Sequence, residues 1–142
     1  MYRPGGFGTI GEILQINLKQ CHHEYRYIIG EILLDKITAA KTVVAKNGSY
    51  ASDENVYRLL PMEVIAGEKK LTTRHSEHGN RFELDLEQTY WNSRLQEEHK
   101  IMTDLIQPDS IVVDLCCGIG PFVIPIAKRG FNVFANDLNP CK

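Results

Sequence analysis

Apolar and polar residues alternate most cleanly over residues 81–86, where Phe82, Leu84 and Leu86 are interleaved with Arg81, Glu83 and Asp85. That period of two predicts a half-buried strand. A looser alternation runs over residues 9–18, with apolar positions at 14, 16 and 18. Residues 41–45 read as a short strand closed by the turn pair Asn47-Gly48. Residues 62–68 and 70–75 read as consecutive strands, with Gly67 permitting the bend between them. Residues 25–34 open on aromatic and β-branched side chains, and periodicity leaves strand and helix both open there. Up to this point the pattern is α+β with a mostly antiparallel sheet.

The texture changes after Tyr90-Trp91-Asn92. Ser93 suits a helix N-cap, and Glu97 supports the first turn that follows. Leu95, Ile101, Met102, Leu105 and Ile106 form an apolar stripe at helical spacing, ended by Pro108-Asp109. Residues 111–115 are nearly continuously apolar, as in a strand covered on both faces. A glycine turn at Gly118-Ile119-Gly120 leads into a short helix over 121–128, stopped by Gly130. A second strand over 131–137 then completes a βαβ unit.

Composition narrows the function less than pattern does. Of 142 residues, 43% are hydrophobic and 24% charged, values typical of a globular chain. The formal net charge of −2 excludes a generally basic coat but leaves room for local basic patches among Lys36, Lys41, Lys46, Lys69, Lys70 and Arg74. No apolar run approaches the roughly 18–20 residues of a membrane span, and the opening residues lack a signal-peptide core. Cys21, Cys116, Cys117 and Cys141 make no disulfide framework, so a reducing, intracellular setting is expected. His22, His23, His75, His78 and His99 match no zinc spacing, and no metal is expected. His75 and His78 fall in a charged segment, where solvated side chains are the default.

The densest chemistry lies in Val113-Asp114-Leu115-Cys116-Cys117-Gly118-Ile119-Gly120-Pro121-Phe122, with Asp137 ending the next strand 23 residues after Asp114. That interval is close to the ~20 residues of a nucleotide-binding βαβ unit. An acidic residue at the first strand end can receive a cationic amine, and small glycines let a ligand approach the backbone. The start of the helix offers N–H groups. Asp137 can accept both ribose hydroxyls of an adenosine. A dinucleotide site would carry a third glycine where Val123 stands, and here an aspartate precedes the turn. The pattern fits S-adenosylmethionine better than NAD, because a sulfonium ligand has no pyrophosphate to cradle.

Three stretches in order carry a resemblance: Tyr90-Trp91-Asn92-Ser93-Arg94-Leu95 with Glu98-His99, the turn from Val113 through Lys128, and Ala135-Asn136-Asp137-Leu138-Asn139-Pro140. Together they resemble the eukaryotic and archaeal tRNA (guanine-N1)-methyltransferases, which act on the guanine 3′ of the anticodon. Upstream, Ile10-Gly11-Glu12-Ile13, residues 28–36, 42–46 and 62–68 are similar to the domain that precedes the catalytic one in that family. Cys116 and Cys117 depart from the aromatic and small residues usual there.

The resemblance implies an α/β chain. An N-terminal α+β domain, residues 1–89, is followed at 90–142 by the start of a Rossmann-like class I methyltransferase domain. It also implies roles. Glu98 is the general base for the guanine N1 proton, and Arg58 sits near the guanine carbonyl oxygen. Asp114, Gly118, Gly120, Phe122, Asp137 and Leu138 line S-adenosylmethionine, while Tyr90, Trp91 and Arg94 meet the tRNA. A cytoplasmic monomer is implied, with nuclear and mitochondrial-matrix pools besides. One βαβ unit is only the beginning of such a sheet, so a fragment with weak cofactor binding and no turnover of its own is expected. Two other readings compete: the wybutosine-pathway aminocarboxypropyltransferase, and a non-catalytic tRNA-binding module.

Overall fold

The computed structural model describes residues 6–46, 56–57 and 59–140. Its elements are β1 (Phe7–Ile10), β2 (Ile13–Ile16), α1 (Arg26–Lys36), β3 (Thr42–Lys46), β4 (Met62–Gly67), β5 (Thr72–Glu77), β6 (Asn80–Asp85), α2 (Gln96–Asp104), β7 (Ile111–Asp114), α3 (Val123–Lys128) and β8 (Asn132–Ala135). Short 3₁₀ turns at Gln20–Tyr25 and Ser93–Leu95 lead into α1 and α2. Arg58 and the Asn47-Gly48 turn lie outside the described residues.

Four strands form one sheet in the order β1-β2-β3-β4. β1–β2 and β3–β4 are antiparallel, whereas β2 and β3 run parallel with α1 as the crossover between them. The loose alternation over 9–18 falls on a hairpin, turned at Gly11 with φ +54°. The open segment 25–34 is helix, because a parallel neighbour requires a crossover. The sheet is mostly antiparallel, as the pattern predicted.

β2 and β3 are buried along nearly their whole length because both faces of the sheet are covered. On one face, Leu14, Ile16, Val43 and Ala45 pack with Ile65 against Ile29, Leu33 and Leu34 of α1. On the other, Ile13 and Val44 pack against Phe82, Leu84 and Leu86, with Trp91 closing the cluster. β5 and β6 are not consecutive with β4 in one sheet. They pair as a separate antiparallel hairpin that caps this second face. Ile119 and Ile124, from the glycine turn and α3, lean on the same cluster, so the hairpin touches both parts of the chain.

α1 lies close to β4 at Gly30, where a Cβ would come within 2.9 Å of the Ile65 carbonyl oxygen. Arg26 anchors the start of the helix by donating to Glu63 at 2.9 Å, with the Tyr27 hydroxyl 2.8 Å from the same carboxylate oxygen. Gly30→Ala should gain about 0.5–1 kcal/mol of helix propensity but lose about 1–3 kcal/mol to overpacking. A net loss of stability in chemical denaturation is the expected result.

Three expectations about the second half fail. The apolar stripe of α2 does not face the core: Ile101, Met102 and Leu105 are exposed, and the buried positions are His99 and Thr103. The α-helix also begins later than expected, at Gln96 without a side-chain cap, while Asn92 caps the preceding 3₁₀ turn by accepting from the Arg94 amide at 3.2 Å. β7 pairs parallel with β8 as predicted. It is not covered on both faces among the described residues, for Ile111 and Val113 are 66% and 61% exposed.

Candidate cofactor and substrate site

The C-terminal ends of β7 and β8 converge on one loop. Asp114 stands opposite Ala135 in the register, two residues before Asp137. The Asn136 amide donates to the Asp114 carbonyl and the Cys117 amide to the Asn136 carbonyl, each at 2.9 Å. This backbone zipper draws the glycine turn against the end of β8. Parallel strands leave their ligand crevice at these carboxyl ends.

Both carboxylates shape that crevice. Asp137 accepts from the Gly118 amide at 2.7 Å through Oδ2 and from the Asn139 amide at 2.9 Å through Oδ1. Asn139 is buried and donates in turn to the Gln88 carbonyl at 2.6 Å, tying the loop to the segment before Tyr90. Asp114 Oδ1 accepts from the Cys116 amide at 3.1 Å. The two acidic strand ends therefore grip opposite sides of one turn.

The two glycines do different work. Gly118, at φ +54°, has nothing within 4 Å of where a Cβ would stand, so its open face is available to a ligand. At Gly120, φ is +85° and a Cβ would come 2.9 Å from Ile124 and 3.1 Å from Val123. Its absence of side chain lets α3 pack. A cleft of about 330 Å³ opens beside this turn, lined by Arg81, Glu83, Cys117, Gly118 and Ile119. Leu138 is 71% exposed next to Asp137 and offers an apolar surface to a base. Phe122 instead points at His99, edge to face at 4.9 Å between ring centroids.

The residues expected to meet substrate separate into two groups. Tyr90 is 45% exposed, Arg94 is exposed, and Glu98 is exposed in the first turn of α2. Trp91 is buried, packed on Phe82, His75 and His99 at 5.3, 5.4 and 5.8 Å, so it supports the site from within and offers no stacking face. Arg94 approaches Gly6, just before β1, and lies near Lys46 at the end of β3. Burial pushes the half-buried Lys46 ammonium down from its ordinary range, and Arg94 pushes it the same way. Two cations held together at this seam make an attractive position for an anion.

His75 and Glu77 were not legible as parts of this region. His75 is not in a solvated turn: it lies in β5, where the Gly11 amide donates to its Nδ1 at 3.3 Å. Its Nε2 is 3.3 Å from Glu77 Oε1, and Glu77 Oε2 is 2.8 Å from His99 Nδ1. Among the described residues no three His, Cys, Asp or Glu side chains are grouped to hold a metal ion. No described helix is long and apolar enough to cross a membrane.

Residues 73–142 match the family described as TRM5/TYW2 methyltransferase domain, and residues 2–70 match the TYW2 N-terminal domain. The chain belongs to the TRM5/TYW2 family. Its similarity extends to a tRNA (guanine(37)-N(1))-methyltransferase of Ciona intestinalis, 48% identical over 95% of this chain and 29% of the relative. The solved complex of aTrm5 and tRNALeu is 26% identical, with a TM-score of 0.83, over 95% of this chain and 39% of that one. Methanocaldococcus jannaschii Trm5 in complex with adenosine is also 26% identical, with a TM-score of 0.77, over 95% and 38%. The chain thus spans under a third of the length of the curated relative.

These two TRM5/TYW2 segments meet between residues 70 and 73, which groups the β5–β6 hairpin with the methyltransferase part. The packing explains why a boundary is hard to read from pattern. The hairpin buries Phe82 and Leu84 against the first sheet while its end, at Glu77, reaches α2.

Proposed function

We propose that these residues serve a tRNA (guanine-N1)-methyltransferase, which transfers a methyl group from S-adenosylmethionine to N1 of the guanine 3′ of the anticodon. The observation that carries this reading is the pair of acidic strand ends holding the glycine turn, Asp114 at the Cys116 amide and Asp137 at the Gly118 amide, with the open face of Gly118 suited to a ligand at the carboxyl ends of parallel strands. The names and contents of the relatives support it: a methyltransferase of the same position, a tRNA complex and an adenosine complex. In this reading the domain boundary lies near residues 89–90, and the protein works as a monomer in the cytoplasm, with nuclear and mitochondrial pools.

S-adenosylmethionine, when bound, supplies the electrophilic methyl. Asp137 would hold its ribose hydroxyls, Asp114 would receive the ammonium of its methionine arm, and Leu138 would offer an apolar surface to its adenine. Tyr90 stacks on the target guanine. With that cofactor bound, the Glu98 carboxylate would take the N1 proton as N1 receives the methyl group. Arg58 offsets the negative charge that grows on the guanine carbonyl oxygen. Alignment by these groups supplies much of the rate, because no covalent intermediate is needed. Incubating tRNA with a chain of the relatives' length that carries these residues, and mapping the modified base by mass spectrometry, tests the reading. Methyl on N1 of that guanine is expected, and an unmodified guanine there rules the reading out.

A second reading has one observation in its favour, the match of residues 2–70 to the TYW2 N-terminal domain. Transfer of the aminocarboxypropyl arm of the same cofactor would give a heavier product in the same experiment.

The Lys46–Arg94 pair fits the phosphate backbone of this tRNA. Removing either cation as Ala should weaken tRNA binding and reduce the slope of log K against log salt by about 1, as loss of one phosphate contact does. A salt titration of binding measures it.

A further inference from the structure

α2 presents its polar side inward. His99 and Thr103 are buried, while Ile101, Met102 and Leu105 are exposed. Successive residues of a helix point about 100° apart, so the direction of Glu98 follows from whatever fixes His99. Apolar burial alone would turn this helix the other way. What holds it is a carboxylate: the side chains of Glu77 and His99 are 3% and 8% exposed, and their bond is 2.8 Å long.

Glu77 is engaged at both oxygens, by His75 at Oε1 and by His99 at Oε2. A carboxylate only accepts, so each imidazole donates to it. For His75 this agrees with its other side, because Nδ1 takes the Gly11 amide and leaves the proton on Nε2. For His99 the proton must be on Nδ1. The hairpin also reaches α2 at its tip, where His78 Nε2 stands 3.0 Å from the Gln96 carbonyl. Burying a carboxylate is costly unless it is paired. A junction that needed only adhesion could be apolar, as the rest of this interface is at Phe82 and Trp91.

We propose that Glu77 is a positioning residue: by accepting from His75 and His99 together, it sets the rotation of α2 and so the aim of Glu98 at the guanine. The inference rests on the methyltransferase reading for its kinetic consequence, but the hydrogen-bond pattern can be tested without it.

The test has two arms. In the 142-residue chain, two-bond proton–nitrogen correlations of the imidazoles report which nitrogen carries the proton. The wild type should show His99 protonated at Nδ1 and His75 at Nε2. A His99 ring protonated on Nε2 alone overturns the proposal. Glu77→Gln offers one acceptor and one donor. With His75 committed by Gly11, the amide donor must face His99 and move its proton to Nε2. A His99 ring unchanged in that variant is equally fatal.

The second arm measures single-turnover methyl transfer in a chain of the relatives' length that carries these residues. Glu77→Gln should slow transfer about 100-fold, the scale of a misplaced reacting group, with S-adenosylmethionine affinity unchanged. A variant that loses thermal stability but transfers at the wild-type rate overturns the positioning role. If the wild-type chain methylates no guanine, the functional reading fails, and the imidazole arm still decides the contact.

Discussion

Glu98→Gln should lower methyl transfer by about 10²–10⁴-fold, the usual contribution of a positioned general base, while leaving cofactor binding unchanged. The amide keeps the volume and one acceptor of the carboxylate but cannot take the N1 proton. Glu98 stands in the first turn of α2, exposed, one residue before the anchored His99. It is open to an incoming base without any movement of the core. Glu97 beside it points to a different side of the helix and lies 3.8 Å from His78. Glu97→Gln is therefore the matched control and should transfer at close to the wild-type rate. Single-turnover assays at saturating cofactor separate the two variants. Equal rates for Glu98→Gln and the wild type would remove Glu98 from the chemistry.

In a chain of the relatives' length, Asp137→Ala should abolish measurable S-adenosylmethionine binding. Hydrogen bonds to charged groups are worth about 1.5–3 kcal/mol each, so the loss of two ribose contacts amounts to about 10²–10⁴-fold in affinity. The same carboxylate also holds the Gly118 and Asn139 amides. The turn should loosen even in the absence of cofactor, and the Gly118 amide should exchange its proton faster with solvent. Asp137→Asn keeps the shape and one acceptor, so it should protect that amide better than alanine does while still binding cofactor poorly. Calorimetry and hydrogen exchange read these two effects separately. Wild-type affinity in Asp137→Ala would remove the second strand end from the cofactor site.

Local pattern carried the strands and the glycine turn because their physics is local. The alternation of Phe82 and Leu84, continued by Leu86 just past its end, is the buried face of β6, and Gly118 and Gly120 have the positive φ that a turn of this kind requires. Pairing direction was not legible. Nothing in residues 13–16 or 42–45 says that these strands run parallel; that follows from α1 crossing between them. α2 was misjudged for a related reason. A stripe of Ile101, Met102 and Leu105 looks like a core face, yet the position of the helix is set by polar partners far away in the chain. His75 and Glu77 carry no spacing signal at all, since their meaning depends on Gly11 and His99, 64 and 22 residues distant. Trp91 was legible as an important aromatic, but its burial comes from neighbours on β5, β6 and α2.

The sequence contains a single tryptophan, and it is that buried indole between the hairpin and α2. Its emission therefore belongs to one seam of the molecule. Separation of the hairpin from α2 would wet the ring and shift its fluorescence to the red before α1 or the four-stranded sheet gave way. Comparing that optical signal with far-ultraviolet circular dichroism during denaturation would reveal whether the two matched segments melt as one body or in sequence.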